Sequence, residues 1–322
     1  MQNATVVPLV SADSFPIFEL PDNAPESREK IGKTFKFWFG GQQLLYKEAR
    51  AETGEHWAEK MGSELAVLMG LPSARVELAS YHGRIGMASF SVLMDAETLT
   101  TFNDWIVKRS AHLADEVRAK ATRHTLANVF GALHDLGLPL RWTPRGKISK
   151  ATQAFTGYLL FDAWISNSDR HQENWGIVNT PPTLQNGVEI STHHLSPTFD
   201  HASSLGRELT DEKREAILKG GDLTEYLAAC KSGLVSDESD EFLDTHTVAA
   251  AAARAHPEAA RIWIDRILEL QRHDINALFD RLPPEIITPV SRRFATWLLE
   301  TSAARLATLR ESLERDKNIA HN

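Results

Sequence analysis

The sequence contains a single cysteine, Cys230, in 322 residues. One cysteine excludes an internal disulfide and a cysteine-rich zinc site, and a lone cysteine is usually a small packing residue. Redox chemistry that depends on paired thiols is therefore not expected.

The sequence also lacks a long apolar run and an excess of basic residues. No apolar stretch approaches the roughly 20 residues of a membrane-spanning helix, and the N-terminus does not resemble a secretory signal. The formal net charge is −8, whereas general nucleic-acid binders usually carry a basic excess. We therefore expect a cytoplasmic protein with no membrane span and no general nucleic-acid binding.

Length and composition favour an ordinary globular protein with two lobes. Apolar residues make up 42% of the chain and charged residues 24%, values typical of globular domains. Short strand-like segments dominate before residue 95, and helical periodicity dominates after it. We predict an α+β fold with an N-lobe over residues 1–95, built from a small antiparallel sheet and one helix, and a mostly helical C-lobe over residues 96–322.

The loop 166–176 carries the polar side chains with the clearest chemical role. Asp169 can accept a proton from a hydroxyl, and the amide oxygen of Asn174 can ligate a hard cation. Kinases hold a base and a metal ligand at this spacing in their catalytic loop. His171 is then expected to brace Asp169. A bare Asp and Asn at this distance is also common in polar turns, so the loop needs partners.

A second metal ligand is expected downstream. WGIVN and GVEISTHHL are predicted to be strands joined by a turn, which would return Asp200 in the segment 198–206 to the side of Asn174. A cluster of nearby histidines is the alternative, as a transition-metal site. The histidines lack the helical i, i+4 pair of such sites. They are His171, His193, His194 and His201.

The N-terminal part predicts a hairpin near a basic, glycine-containing segment. Residues 1 to about 24 show no sustained period and are expected to form an extended arm on the surface or on a neighbouring lobe. Strands are predicted over 35–39 and 44–48, with Lys47 on the returning strand. Phosphate oxygens could contact the residues ahead of it, although the P-loop signature is absent and a solvated hairpin is the alternative. These residues are Gly32, Lys33, Thr34 and Lys36.

A helix is predicted from a cap at Thr53 to a stop at Gly70, with apolar residues at helical spacing. Its acidic residues include Glu59, which lies above a face of small residues that another backbone can approach closely. Glu59 is expected to pair with Lys47, and Glu64 is the rival partner. A surface ion pair is the simpler reading of either acid.

Two further strands follow the helix and complete the predicted sheet. The segment 91–95 then takes the position of a hinge, where main-chain groups from Val92 to Met94 can hydrogen-bond an adenine edge. A plain connector is the alternative. Helical periodicity follows near 99–109, 110–137, 151–167, 210–230, 240–255, 257–281 and 291–317, and the charged stretch 231–241 is predicted to be an exposed loop.

Taken in order, these segments resemble the HipA-like kinases, bacterial serine/threonine protein kinases that are distantly similar to phosphatidylinositol kinases. The resemblance runs from about residue 27 to 206. The motifs that carry it are Gly32 with Lys36-Phe-Trp, Tyr46-Lys47-Glu48-Ala-Arg, Trp57-Ala-Glu59-Lys, Gly70-Leu-Pro, Asp169-Arg-His-Gln-Glu-Asn174 and Phe199-Asp200-His-Ala-Ser203. It implies a two-lobed protein-kinase-like fold that uses ATP and Mg²⁺.

The resemblance also implies roles for individual residues. Lys47 would hold the α- and β-phosphates, Glu59 would position Lys47, and Asp169 would be the general base. Asn174 and Asp200 would hold Mg²⁺. Ser27 or Thr34 would be an autophosphorylation site that switches the enzyme off.

Several alternatives stay open. The large N-terminal subdomain of the longer family members has no counterpart here, and the hairpin between the catalytic loop and Asp200 is longer. A regulatory or toxin–antitoxin partner is therefore an open question, as is the protein that would be phosphorylated. The competing functions are a lipid kinase of the phosphoinositide type and a non-catalytic pseudokinase that binds ATP or a partner.

Overall fold

The computed structural model describes residues 14–25, 27–28, 35–94, 96–185 and 188–320. The strands are Ile17–Glu19 (β1), Ser27–Arg28 (β2), Lys36–Phe39 (β3), Leu44–Glu48 (β4), Val76–Tyr81 (β5), Arg84–Phe90 (β6), Thr98–Thr101 (β7), Gly176–Asn179 (β8), Thr183–Gln185 (β9), Val188–Ile190 (β10), His193–Leu195 (β11), Lys231–Val235 (β12) and Phe242–Asp244 (β13). The helices are Glu55–Met69 (α1), Phe102–Ser110 (α2), Asp115–Ala121 (α3), Leu126–Leu133 (α4), Ala151–Ile165 (α5), Asp211–Gly220 (α6), Thr224–Ala229 (α7), Thr245–Ala255 (α8), Pro257–Glu269 (α9), Arg272–Asp280 (α10) and Pro289–Ala320 (α11). The predicted α+β, two-lobed architecture is confirmed. The boundary after residue 95 stays a prediction.

The N-terminal sheet has six strands in the order β1-β5-β6-β4-β3-β2. Strands β3 to β6 pair antiparallel, as predicted. The strand β2, which was not predicted, pairs antiparallel with β3, and β1 runs parallel to β5. A three-residue strand is too short to show a period in the sequence, which explains why it was missed.

Alternation along β3 and β4 gives the sheet two different faces. Phe37 and Tyr46 are fully buried on one face, with ring centroids 5.1 Å apart. Lys36 and Lys47 are cross-strand partners on the other face. The second face therefore turns basic side chains towards the helical part of the molecule.

The described part of the N-terminal arm contacts the helical lobe at Phe15 and then joins the N-terminal sheet as β1. Phe15 is buried, its N–H donates to the carbonyl of Arg281 at 2.7 Å, and its ring is close to two cations. The guanidinium of Arg281 is 4.0 Å from the ring centroid and the ammonium of Lys60 is 4.3 Å from it. This contact ties the strand β1 to α1 and α10.

Helix α1 begins after Gly54 and not after the predicted cap Thr53, whose hydroxyl donates instead to the carbonyl of Arg50. The helix ends at Gly70 in the left-handed region, at φ 81°, as the sequence predicted. A Cβ added at Gly62 would lie 2.6 Å from Cβ of His201. The small face of α1 thus lets the segment after Asp200 approach the helix closely.

Several predicted segments of the C-lobe differ from the structure. The segments 210–230 and 257–281 are each divided between two helices, and the segment 240–255 begins as the strand β13. The segment 99–109 begins as the strand β7, which pairs with β8, and the segment 110–137 is divided between α3 and α4. The segment 231–241 is not a simple loop, since β12 forms a hairpin with β13. The charged composition of this segment favoured a loop prediction. In the strand β12, buried positions alternate with exposed or half-buried ones.

Helix α5 is buried along its whole length and lies at the centre of the helical lobe, against α8, α9 and α11. Its apolar residues continue into one core that also includes α1. Cys230 is buried, which fits the expected packing role. Within the described ranges, no helix combines the length and the apolarity needed to cross a bilayer.

Candidate active site

A cleft of about 340 Å³ lies between the N-terminal sheet and the helical lobe. Apolar side chains line one end, and charged or amide side chains line the other. The apolar residues are Trp38, Leu45, Ala74, Phe90, Val92, Leu93, Leu99 and Phe199, and the polar ones include Lys36, Lys47, Glu173, Asn174 and Asp200. Such a cleft suits a ligand with a flat apolar end and an anionic end.

The loop 166–176, the predicted catalytic loop, starts where α5 ends. Ser166 takes a left-handed conformation at φ 54°, which ends the helix and turns the chain towards the cleft. Farther along, Nδ2 of Asn174 donates to the carbonyl of Asp169 at 2.8 Å. This bond fixes the amide so that its oxygen is the atom left to ligate a cation.

Arg170 connects the loop to the buried helix α5. It is fully buried and forms a two-pronged ion pair with Asp162 of α5, with both N···O distances at 2.8 Å. Its guanidinium also donates to the carbonyl of Asn174 at 2.8 Å and to the hydroxyl of Thr198 at 3.0 Å. One side chain therefore joins α5, the catalytic loop and the segment before Asp200. The sequence did not predict a role for Arg170, although its position between Asp169 and Asn174 was the available signal.

Asp169 faces a second cleft of about 270 Å³ that adjoins the first and is also lined by Ser203 and Asp200. Ser203 Oγ donates to Asp169 Oδ2 at 3.4 Å, and it accepts from Nη2 of Arg207 at 3.0 Å. Burial raises the pKa of Asp169, while His171 acts in the opposite direction. A raised pKa suits a carboxylate that must take up a proton.

His171 lies beside Asp169, as expected, but at a longer distance than a hydrogen bond. Its Nε2 is 3.7 Å from Asp169 Oδ1, and its Nδ1 accepts from the N–H of Glu173 at 3.1 Å. The ring thus stabilises the turn of the loop and adds positive potential near the carboxylate when it is protonated.

Asp200 is in the left-handed region at φ 59°, which aims its side chain into the cleft. Its Oδ2 accepts from Nζ of Lys47 at 2.8 Å. Burial opposes ionisation of Asp200, but the Lys47 ammonium outweighs it and holds the pKa of this carboxyl below its usual value. The pair joins β4 to the segment 198–206.

Glu59 lies behind this pair, on α1. Burial raises the pKa of Glu59 to about 8, Asp200 adds to the rise, and Lys47 opposes it. The sequence predicted a direct Glu59–Lys47 pair, whereas the carboxylate in contact with Nζ at 2.8 Å is that of Asp200. The rival acid Glu64 is held by Lys60 at 2.6 Å, so Glu59 is the acid on the Lys47 side of the helix.

His201 follows Asp200 and packs against Gly62 of α1. It is buried, and burial lowers its pKa to about 3. Its Nε2 lies 2.9 Å from the hydroxyl of Thr198. His193 and His194 make separate hydrogen bonds to Asn179 and to the carbonyl of Leu138. In the described part of the chain, no three His, Cys, Asp or Glu side chains are grouped to hold a metal ion.

The hinge fits the cleft only in part. Val92 lines it, and its carbonyl accepts from Arg141 at 3.2 Å. Met94 points away, with 60% of its surface exposed, and its N–H donates to Glu97 at 2.9 Å. The N–H of Met94 is thus engaged by Glu97, and the adenine contact of this segment stays a prediction.

Of the remaining predicted residues, the structure describes the side chain of Lys36 alone. Lys36 lines both parts of the cleft. Gly32, Lys33 and Thr34 lie outside the described residues, as does Asp95, and of Ser27 the structure describes the main chain in β2.

The donor set fits a hard cation. Asn174 and Asp200 offer amide and carboxylate oxygens at the charged end of the cleft, and oxygen atoms are the ligands that Mg²⁺ prefers. Lys47 is placed to neutralise phosphate oxygens next to them. The residues therefore fit a magnesium nucleotide.

Comparison with solved structures gives the fold. The chain is similar to the Helicobacter pylori proinflammatory kinase CtkA, with a TM-score of 0.69 and 15% identity over 92% of this chain and 99% of that one. It is also similar to a structure of the Shewanella oneidensis toxin–antitoxin system HipA, HipB and its operator DNA, with a TM-score of 0.52 and 11% identity over 91% of this chain and 70% of that one. No family model matches the sequence, and no curated protein matches it. The structural matches support the resemblance seen in the sequence, and the chain has the fold of the HipA-like kinases.

Proposed function

We propose that the protein is an ATP- and Mg²⁺-dependent kinase that phosphorylates serine or threonine of a protein substrate. The observation that carries this proposal is the convergence of four side chains from distant parts of the sequence on one cleft. They are Lys47, Asp169, Asn174 and Asp200.

Each side chain has a task in phosphoryl transfer. Lys47 binds the phosphates of ATP, and the buried Glu59 interacts electrostatically with Lys47. Asn174 and Asp200 would hold Mg²⁺, which would neutralise charge on the phosphates. Asp169 accepts the proton of the acceptor hydroxyl as that oxygen bonds to the γ-phosphorus and ADP leaves. Ser203 donates a hydrogen bond to the Asp169 carboxylate, and His171 lies beside it at 3.7 Å.

Autophosphorylation at Ser27 or Thr34 belongs to the same proposal. A phosphate of about −2 charge on this segment would compete with ATP for the basic side chains at the cleft entrance, and Lys36 is one of these. Phosphorylation there would then lower activity.

Purified protein incubated with radiolabelled ATP, Mg²⁺ and a cell lysate tests the proposal. We expect label on protein, removal of the signal by a magnesium chelator, and label on serine or threonine after acid hydrolysis. Label in the lipid extract alone would identify a lipid kinase. Stabilisation by MgATP with no transfer to any acceptor would identify a pseudokinase.

A further inference from the structure

A groove of about 520 Å³ continues from the catalytic cleft, and we call it the hairpin groove. It is bounded by residues 122–124, the catalytic loop at 171–173, and the hairpin β12–β13. His171 and Glu173 line both the hairpin groove and the cleft that contains Asp169. The hairpin groove therefore lies next to the cleft that contains Asp169.

The hairpin is fixed against the catalytic loop. Gly233 has φ 72°, and a Cβ there would lie 2.8 Å from the amide nitrogen of His171, so the two backbones are in close contact. Nδ1 of His124 lies 2.9 Å from the Gly233 carbonyl, and the carbonyl of His124 accepts from the N–H of Val235 at 3.0 Å. The hairpin groove thus has a defined position relative to Asp169.

The tip of the hairpin is ordered by one cation and carries several anions. Arg123 donates to the carbonyls of Ser236 at 2.8 Å and Asp237 at 3.1 Å and to that of Ser239, and it pairs with the Asp240 carboxylate at 3.1 Å. Exposed carboxylates surround it at Asp237, Glu238, Asp240 and Glu241. The guanidinium is therefore already occupied by the hairpin, and the tip keeps an excess of negative charge.

Phe242 adds an apolar surface to this acidic rim. It lines the hairpin groove with Val235, and 56% of its surface is exposed. A single exposed aromatic side chain and a solvated acidic turn are each common on protein surfaces. Their combination in a groove next to the cleft indicates a binding partner. The acidic side chains favour a basic partner by charge complementarity, and Phe242 favours an apolar side chain on it.

We propose that the hairpin groove binds a basic segment of the protein substrate, next to the phosphorylated residue, with an apolar side chain of that segment against Phe242. This inference rests on the proposed kinase function and adds a substrate class to it. Lysine or arginine side chains would lie over the carboxylates of the tip and of Glu173.

A binding measurement tests the inference without requiring catalysis. The probe is a fluorescein-labelled peptide with four arginines, one leucine and alanine at the acceptor position, and its partner has glutamates in place of the arginines. We expect saturable binding of the basic peptide, weakening with added salt, and weaker binding of the acidic one. Substitution of Asp237→Lys with Glu238→Lys should raise Kd about tenfold, and Phe242→Ser should raise it several-fold. Asp316→Lys, an exposed charge reversal on α11, should leave Kd unchanged.

Equal binding of the two peptides, or equal effects of the hairpin variants and Asp316→Lys, would overturn the inference. A shift from dimer to monomer in Phe242→Ser, with peptide binding unaltered, would mean that a second copy of the chain covers the groove, and would overturn it too. When serine replaces alanine at the acceptor position of both peptides, phosphate transfer can be measured. We expect the hairpin variants to raise KM for the basic peptide at unchanged kcat. Transfer to both peptides at the same KM would contradict the substrate class alone, whereas absence of transfer and of MgATP binding would contradict the kinase assignment.

Discussion

Nζ of Lys47 lies 2.8 Å from Oδ2 of Asp200, across 153 positions of sequence. The two side chains are 22% and 27% exposed, so the pair is reachable from the cleft and only partly screened by water. In the proposed function, Lys47 would bind the phosphates and Asp200 would bind the metal ion, so the pair places these two groups side by side at the charged end of the cleft. On binding of MgATP, Lys47 would interact with the phosphates and Asp200 with the metal ion. Glu59 is close enough to both side chains to interact with them electrostatically.

Lys47→Met should weaken MgATP binding. A ligand that binds only the folded state raises the melting temperature by mass action, and loss of the ammonium removes a contact to the phosphates. We expect a clear rise in the melting temperature of the wild type at millimolar MgATP and a much smaller rise in the variant. Lys108→Met, at an exposed position of α2, is the control and should behave as the wild type. An equal rise in both variants would remove Lys47 from the nucleotide site.

Arg170→Ala should destabilise the protein by about 3 kcal/mol or more, because it leaves the buried Asp162 carboxylate without its partner. Urea unfolding measures the change. Arg254→Ala, at an exposed position of α8, should change the free energy of unfolding by less than about 0.5 kcal/mol. Similar losses in the two variants would mean that the Arg170 network contributes little to the fold.

Stability should fall as the pH drops from about 6.5 to 4. Burial lowers the pKa of His124 to about 4, so the unfolded chain takes up a proton before the folded one does. The neutral ring is needed because Nε2 accepts from the indole N–H of Trp175 at 3.2 Å. The full shift corresponds to about 3 kcal/mol. His124→Gln should reduce the slope of unfolding free energy against pH in this window, and an unaltered slope would contradict the assignment.

The local elements near the cleft could be predicted because their patterns are strong. The strand at 44–48 and the helix stop at Gly70 agree with the structure, since alternation, periodicity and glycine act over a few residues. The start of α1 was missed by one residue because Thr53 donates to a backbone carbonyl instead of capping the helix. Capping preferences do not reveal such a competing bond.

The contacts that assemble the site could be predicted only in outline. Spacing placed Asp169, Asn174 and Asp200 together in the correct order of elements, but it did not show that Lys47 contacts Asp200 at 2.8 Å instead of Glu59. Nor did it reveal Arg170, whose partners are far apart in sequence. Such pairings depend on the packing of α5 and α1, which a local pattern does not contain.

The measurement that tests the central claim most directly compares phosphate transfer by the wild type and by Asp169→Asn at saturating MgATP. Loss of the general base removes about 3 kcal/mol or more from transition-state stabilisation, so transfer should fall about a hundredfold or more. The variant should keep its melting temperature and its stabilisation by MgATP, and Asp135→Asn, at an exposed position, should transfer phosphate as the wild type does. Unchanged turnover in a folded Asp169→Asn protein would contradict the account.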